Sequence, residues 1–240
     1  MKNKTKKIKI FKLIMLIVAI LIIIYNTIYL FPVMKQIATK EGQELFREKI
    51  TNSGISGFMM LAMLQMAQIF LAVLPGEPLE ILAGMCYGGF GGTLFILASV
   101  FISTLAIYFL VKKFGKKLIY EFFSKEKIDK IEKSKIFNNP KKIELILFIL
   151  FFIPGTPKDL LVYIGGILPV KPLRFILIAT FARIPSIISS TFAGSNIMEG
   201  NFINILIIYL ITFVLAIGTF FIVNIFDKDK ETKEALIEIK

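Results

Sequence analysis

Four uninterrupted apolar runs, at 13–31, 90–111, 173–193 and 202–226, decide the solvent in which this chain folds. Each approaches or exceeds the ~20 residues a helix needs to cross a hydrocarbon core about 30 Å thick. The composition agrees, because 240 residues that are 56% hydrophobic, with mean hydropathy +0.76, are too apolar for an ordinary soluble domain. The expectation is an all-α integral membrane protein.

Two further apolar tracts, 58–87 and 143–170, are broken near their middles by Pro75-Gly76-Glu77-Pro78 and Pro154-Gly155-Thr156-Pro157. Proline lacks an amide donor and disfavours helix in the residue before it, and glycine permits a tight turn, so each motif should stop a helix. The arms are then too short to cross; 143–153 would rise only about 16 Å. Each tract is expected to be a re-entrant hairpin, giving about four transmembrane helices plus two hairpins. Non-helical backbone at membrane depth needs protein or a water-filled cavity around it, so both turns are expected to be buried centrally.

Lysine placement orients the chain. Eleven lysines and four acids lie between 112 and 142, and six lysines precede the first run (Lys2, Lys4, Lys6, Lys7, Lys9 and Lys12). Both regions should be cytoplasmic. Segment 32–57 has four bases and three acids, and 194–201 has Glu199 and no base, so both belong outside. The expected order is a basic cytoplasmic tail at 1–12, an uncleaved anchor helix at 13–31, an external amphipathic segment at 32–57, a membrane domain at 58–226 and a charged cytoplasmic tail at 227–240. The anchor is read as uncleaved because its run ends in Tyr29-Leu30-Phe31-Pro32 rather than in small residues. The basic segment 112–142 is expected to lie on the inner membrane surface.

The two broken tracts are related. Pro75 to Leu82 aligns with Pro154 to Leu161 at a constant offset, with Pro, Gly, Pro, acid and Leu coinciding, and glycine pairs follow at 88–89 and 165–166. One full span separates them, so the hairpins enter from opposite sides and the repeat is inverted. That is the architecture of secondary transporters, in which broken helices near the midplane form the substrate site. Glu80 and Asp159 open the outgoing arms, where a carboxylate can serve as a helix cap or mark an ion or substrate path. Arg183, in the middle of an apolar run, needs an anionic partner: Glu80, Asp159 or a substrate phosphate. Glu77 and Lys158 lie in the turns as gating candidates. Gln65, Gln68, Ser189 and Ser190 could line a polar path or simply bond helix to helix.

At Pro154 to Asp159, Gly165-Gly166, Phe181-Ala182-Arg183-Ile184-Pro185-Ser186 and Ala193-Gly194, the chain resembles the VTT-domain proteins of the DedA superfamily, also called SNARE-associated Golgi proteins. The resemblance covers about 60–195 and leans toward bacterial relatives of the yeast late-Golgi vesicle protein branch. It implies facing re-entrant hairpins and a role in flipping or scrambling lipids such as undecaprenyl phosphate or phospholipids, with Glu80, Asp159 and Arg183 at matching positions. The DedA branch proper carries arginine just before and within its second proline motif, where this chain has Phe152-Ile153 and Thr156-Pro157-Lys158.

The expected function is therefore a lipid or polyprenyl-phosphate flippase or scramblase with its site between the hairpins. The alternatives are a small-solute or ion transporter and a non-transporting membrane-organisation factor. An enzyme is not expected, because the chain has no His and a single Cys, Cys86, and no nucleophile constellation is recognisable. No cofactor and no metal site are expected. The net charge of +12 sits in lysine blocks beside apolar tracts, so the expected partners are membrane lipids, lipid phosphates among them, and no nucleic acid. Self-association into a homo-oligomer is left open. The expected location is the cell membrane, multi-pass, with both termini cytoplasmic.

Overall fold

A computed structural model of the chain describes residues 40–72, 76–120, 124–126, 128, 139–153 and 156–226. The expected tails and the anchor 13–31 lie outside the described residues, as do Pro75, Pro154, Gly155 and most of 121–138. Regular structure among the described residues is entirely helical. The chain divides into two compact units, residues 1–67 and 68–240.

In the first unit, α1 (Lys40–Asn52) is a charged helix with Glu41 in its first turn and Lys49 in its last, the order that complements a helix dipole. The Ser53 hydroxyl caps its end by donating to Lys49 O at 2.6 Å, and Gly54 takes φ +52° to start α2 (Gly54–Leu71). Gly57 then rests on the backbone of Ile50, where a Cβ would stand 2.3 Å from the carbonyl oxygen. This early restart makes α2 18 residues long, a rise of about 27 Å. The entering arm of the first tract is therefore long and apolar enough to cross a membrane, contrary to the expectation of short arms.

The second unit takes in the last turn of α2 and the helices that follow. α3 (Glu77–Phe114) is continuous except at Gly88, whose φ of 75° and ψ of 170° are open essentially to glycine alone. The chain doubles back there: a Cβ on Gly92 would lie 2.8 Å from the backbone of Ala83. Residues 77–87 are thus a short outgoing arm, and 89–114 form the long helix after it. Gly115, at φ 66°, leads into the single turn α4 (Lys116–Ile119).

α5 (Pro140–Phe152) starts with Pro140 at a helix-compatible position and Asn139 accepting from Lys142 N. It stops at Ile153, held extended as expected of a residue before proline. The Thr156 hydroxyl donates to the carbonyls of Leu150 and Ile153, so the carbonyls freed by the turn regain a donor. α6 (Lys158–Gly165) returns as an arm of about 12 Å. α7 (Pro172–Phe181) and α8 (Ile184–Glu199) form one 28-residue apolar stretch, interrupted at Ala182 and Arg183 because Pro185 cannot donate to the carbonyl of Phe181. α9 (Phe202–Phe226) follows a left-handed Gly200.

Glycine sets the tightest packing. A Cβ on Gly84 would be 1.9 Å from Thr191 O, and one on Gly194 2.1 Å from Ile81 O, so arm 77–87 and α8 touch backbone to backbone. Thr93 and Thr191 add a hydroxyl bond of 2.7 Å beside that crossing. α7 packs on α3, α5 packs on α7, and Arg174 pairs with Glu144 at 3.1 Å between α7 and α5. Apolar side chains stand exposed along 94–109 and along α9, as they do on helices whose outer solvent is hydrocarbon. By length and composition, Gly54–Leu71, Glu77–Phe114 and Pro172–Glu199 can each cross a membrane. The chain is an all-α protein with several helices fit to span a bilayer.

Candidate functional site

Three chain breaks converge on one place. The α2-to-α3 turn, the α5-to-α6 turn and the interruption before α8 each free backbone groups and each present an ionisable residue to a cavity of about 900 Å³. Glu77 and Glu80 come from the start of α3, Lys158 and Asp159 from the start of α6, and Arg183 from the break before α8.

Arg183 is buried and donates from Nη1 to Asp159 Oδ1 at 2.6 Å; 6% of its side chain and 16% of the Asp159 side chain are exposed. The guanidinium also lies 5.2 Å from the centroid of the Phe151 ring. Its Nε and Nη2 are buried with no hydrogen-bond acceptor among the described residues. Gln68 Nε2 donates to the second oxygen of Asp159 at 2.7 Å, and the Tyr163 hydroxyl donates to Phe70 O, so α6 is stitched to the end of α2. The Phe70 bond occupies one of the carbonyls that the end of α2 leaves open.

Lys158 Nζ donates to Ser186 Oγ at 2.6 Å, and the Ser186 hydroxyl donates to the backbone carbonyl of Arg183 at 3.0 Å. Lys158 is therefore tied through Ser186 to the break before α8. Glu80 is half-buried, within hydrogen-bonding reach of Ser190 and in the field of Lys158, Arg183 and Asp159. Although Glu80 and Asp159 align in sequence, they sit at different helix positions. α3 begins at Glu77, three residues ahead of its acid, and α6 begins one residue ahead of its own, after Pro157 has served as the cap.

The described residues flanking the two turns border an open cavity, one of the two surroundings that non-helical backbone at membrane depth allows. Gly76 and Thr156 are half-buried, and Glu77, Pro78's neighbour, is exposed along with Pro157. They line the cavity, and an open cavity can solvate freed backbone as well as protein can. Glu80, Asp159, Arg183, Glu77, Lys158, Gly76 and Pro157 all line it, and Ser189 and Ser190 do too; Pro78 is half-buried beside it and outside the lining.

The opposite wall is one that sequence reasoning missed. Leu206, Tyr209, Leu210, Thr212 and Phe213 of α9 complete the cavity, and the Tyr209 hydroxyl donates to Glu77 Oε1 at 2.9 Å. The signal was Tyr209 and Thr212 on one face of an otherwise apolar run. Leu206, Leu210 and Phe213 remain 72%, 63% and 60% exposed, so this wall is thin and open to the outside of the protein. The cavity is charged at the hairpins and apolar along α9. Among the described residues no group of three acidic or thiol side chains is set to hold a metal ion.

The family model of the VTT domain matches residues 74–196, just over half of the chain, from the first Pro-Gly turn to the end of α8. The chain belongs to the VTT-domain family. This is the family of the DedA and SNARE-associated Golgi proteins that the two proline motifs and the arginine-proline stretch suggested. No curated protein and no solved structure matches the chain. In this VTT-domain protein the matched region supplies every acidic and basic residue of the cavity lining, and α9, beyond the match, supplies its largely apolar wall.

Proposed function

We propose that this VTT-domain membrane protein moves a lipid-like anion, such as a polyprenyl phosphate or a phospholipid, between bilayer leaflets as a flippase or scramblase and performs no enzymatic step. The observation that carries the reading is Arg183, a buried guanidinium with two donor nitrogens that find no acceptor among the described residues, at the charged end of a cavity whose other wall is largely apolar. An unpaired buried donor is costly, and guanidinium matches phosphate oxygens in a bidentate fork. A headgroup phosphate entering the cavity satisfies those donors and shares Arg183 with Asp159. Lys158, bonded to Ser186, adds a second cation beside it. The acyl or prenyl chains then lie along Leu206, Leu210 and Phe213, which already open outward.

Paired hairpins meeting in the membrane support transport as the class, because broken helices there form substrate sites in transporters. Full-length protein reconstituted in liposomes should accelerate the transbilayer movement of a labelled polyprenyl phosphate or phospholipid, and Arg183→Ala should abolish the acceleration. Rates equal to those of empty liposomes for both lipid classes would sink the reading. Flux of small solutes that Arg183→Ala removes, with no lipid movement, would replace it with solute transport.

A further inference from the structure

We infer that Tyr209 of α9 is a positioning residue that ties α9 across the cavity's rim and narrows its lateral mouth through the bond to Glu77, an inference that rests on the proposed entry of an amphiphile from the bilayer. The 2.9 Å bond from Tyr209 to Glu77 joins α9 to the first residue of α3, immediately past the Pro-Gly turn. It therefore spans the gap between the charged rim and the apolar wall. A phenol donating to a carboxylate is a charge-assisted bond, stronger than a neutral one.

α9 is anchored at its start. Its start is fixed by the left-handed Gly200 and by Asn204 Nδ2 donating to Asn196 Oδ1 at 3.1 Å on α8. Beyond that point Leu206, Leu210 and Phe213 line the cavity while staying more than half exposed, so they are not locked into a core. The bond also breaks at low cost to its acceptor. Glu77 is exposed and can be hydrated on release. Tyr209 lies outside the matched VTT region, so the latch joins a residue inside the match to one beyond it.

The test reads access rather than transport. A Ser189→Cys reporter inside the cavity, in a Cys86→Ala background, is exposed in liposomes to a membrane-partitioning alkyl maleimide. A companion set of proteins keeps only the native Cys86, which is buried on α3. Tyr209→Phe and Glu77→Ala should each raise reporter labelling about tenfold or more, the population released by losing one charge-assisted bond. Glu77→Gln, which keeps an acceptor oxygen but loses the charge, should fall between the parent and Glu77→Ala. The double variant Tyr209→Phe/Glu77→Ala should label no faster than either single variant, because both remove the same contact. Labelling of Cys86 should not change. An unchanged reporter rate in Tyr209→Phe, additive single effects, or Cys86 labelling that rises in step would each overturn the latch. Loss of the lipid-movement reading with these labelling ratios intact would leave the latch standing.

Discussion

Asp159 carries two bonds that no other residue duplicates, one oxygen accepting from Arg183 and the other from Gln68. Replacing it by Ala leaves a buried guanidinium uncompensated, and breaking such a pair destabilises by about 3–5 kcal/mol. The chain has no Trp, but its buried Cys86 makes a convenient reporter. Thermal unfolding followed with a fluorogenic maleimide should show Asp159→Ala well below the parent, with the neutral pair Asp159→Asn/Arg183→Gln recovering much of the loss. Equal losses in the single and the paired variant would mean the ion pair contributes nothing specific. Arg183 was legible in the sequence because an arginine in an apolar run must find an anion, and the two repeat acids were the candidates. Which of them bonds it was not legible, since that depends on α6 starting one residue before Asp159 while α3 starts three before Glu80. Tyr209 was not legible as a site residue either, because one tyrosine in an apolar helix reads as an ordinary lipid-facing aromatic until α3 is seen to bring Glu77 to it.

Among the elements, the outgoing arm 77–87 is the most constrained. Its Gly84 and the Gly194 of α8 each occupy a place where a Cβ would fall within 2.1 Å of a carbonyl oxygen. Gly84→Ala or Gly194→Ala should therefore lower stability by at least the ~1–3 kcal/mol typical of overpacking, in the same Cys86 unfolding assay. Gly88→Ala should cost a comparable ~1–3 kcal/mol for a different reason, its left-handed backbone, although nothing stands within 4 Å of the added methyl. A melting curve for Gly88→Ala that matches the parent would show that the reversal there is not held in this geometry. The Pro-Gly breaks, the glycine pairs and Pro185 were legible because proline and glycine act on the backbone locally. The length of α2 was not, because it follows from Gly57 seating on Ile50, a contact between helices that no local rule encodes.

For the molecule as a whole, several helices fit to cross a bilayer and the lysine distribution together predict an orientation. Lys113 closes α3 among the lysines expected inside, and Glu199 closes α8 in the segment expected outside. With Cys86 replaced by Ala, Glu199→Cys should react with an impermeant maleimide on intact cells, and Lys113→Cys only after permeabilisation. The reverse pattern would invert the topology. Membrane character was legible from the apolar runs alone and a site at the hairpins from the proline motifs, whereas the cavity's far wall was not, because it is α9, a helix that belongs to neither repeat and bears no proline-glycine mark. The glycine crossing between arm 77–87 and α8 has one more consequence. Carbonyls seated on glycines at Gly84 and Gly194 block sliding, since a shift of one residue would drive a larger side chain into an oxygen, so the arm and α8 are held in one register.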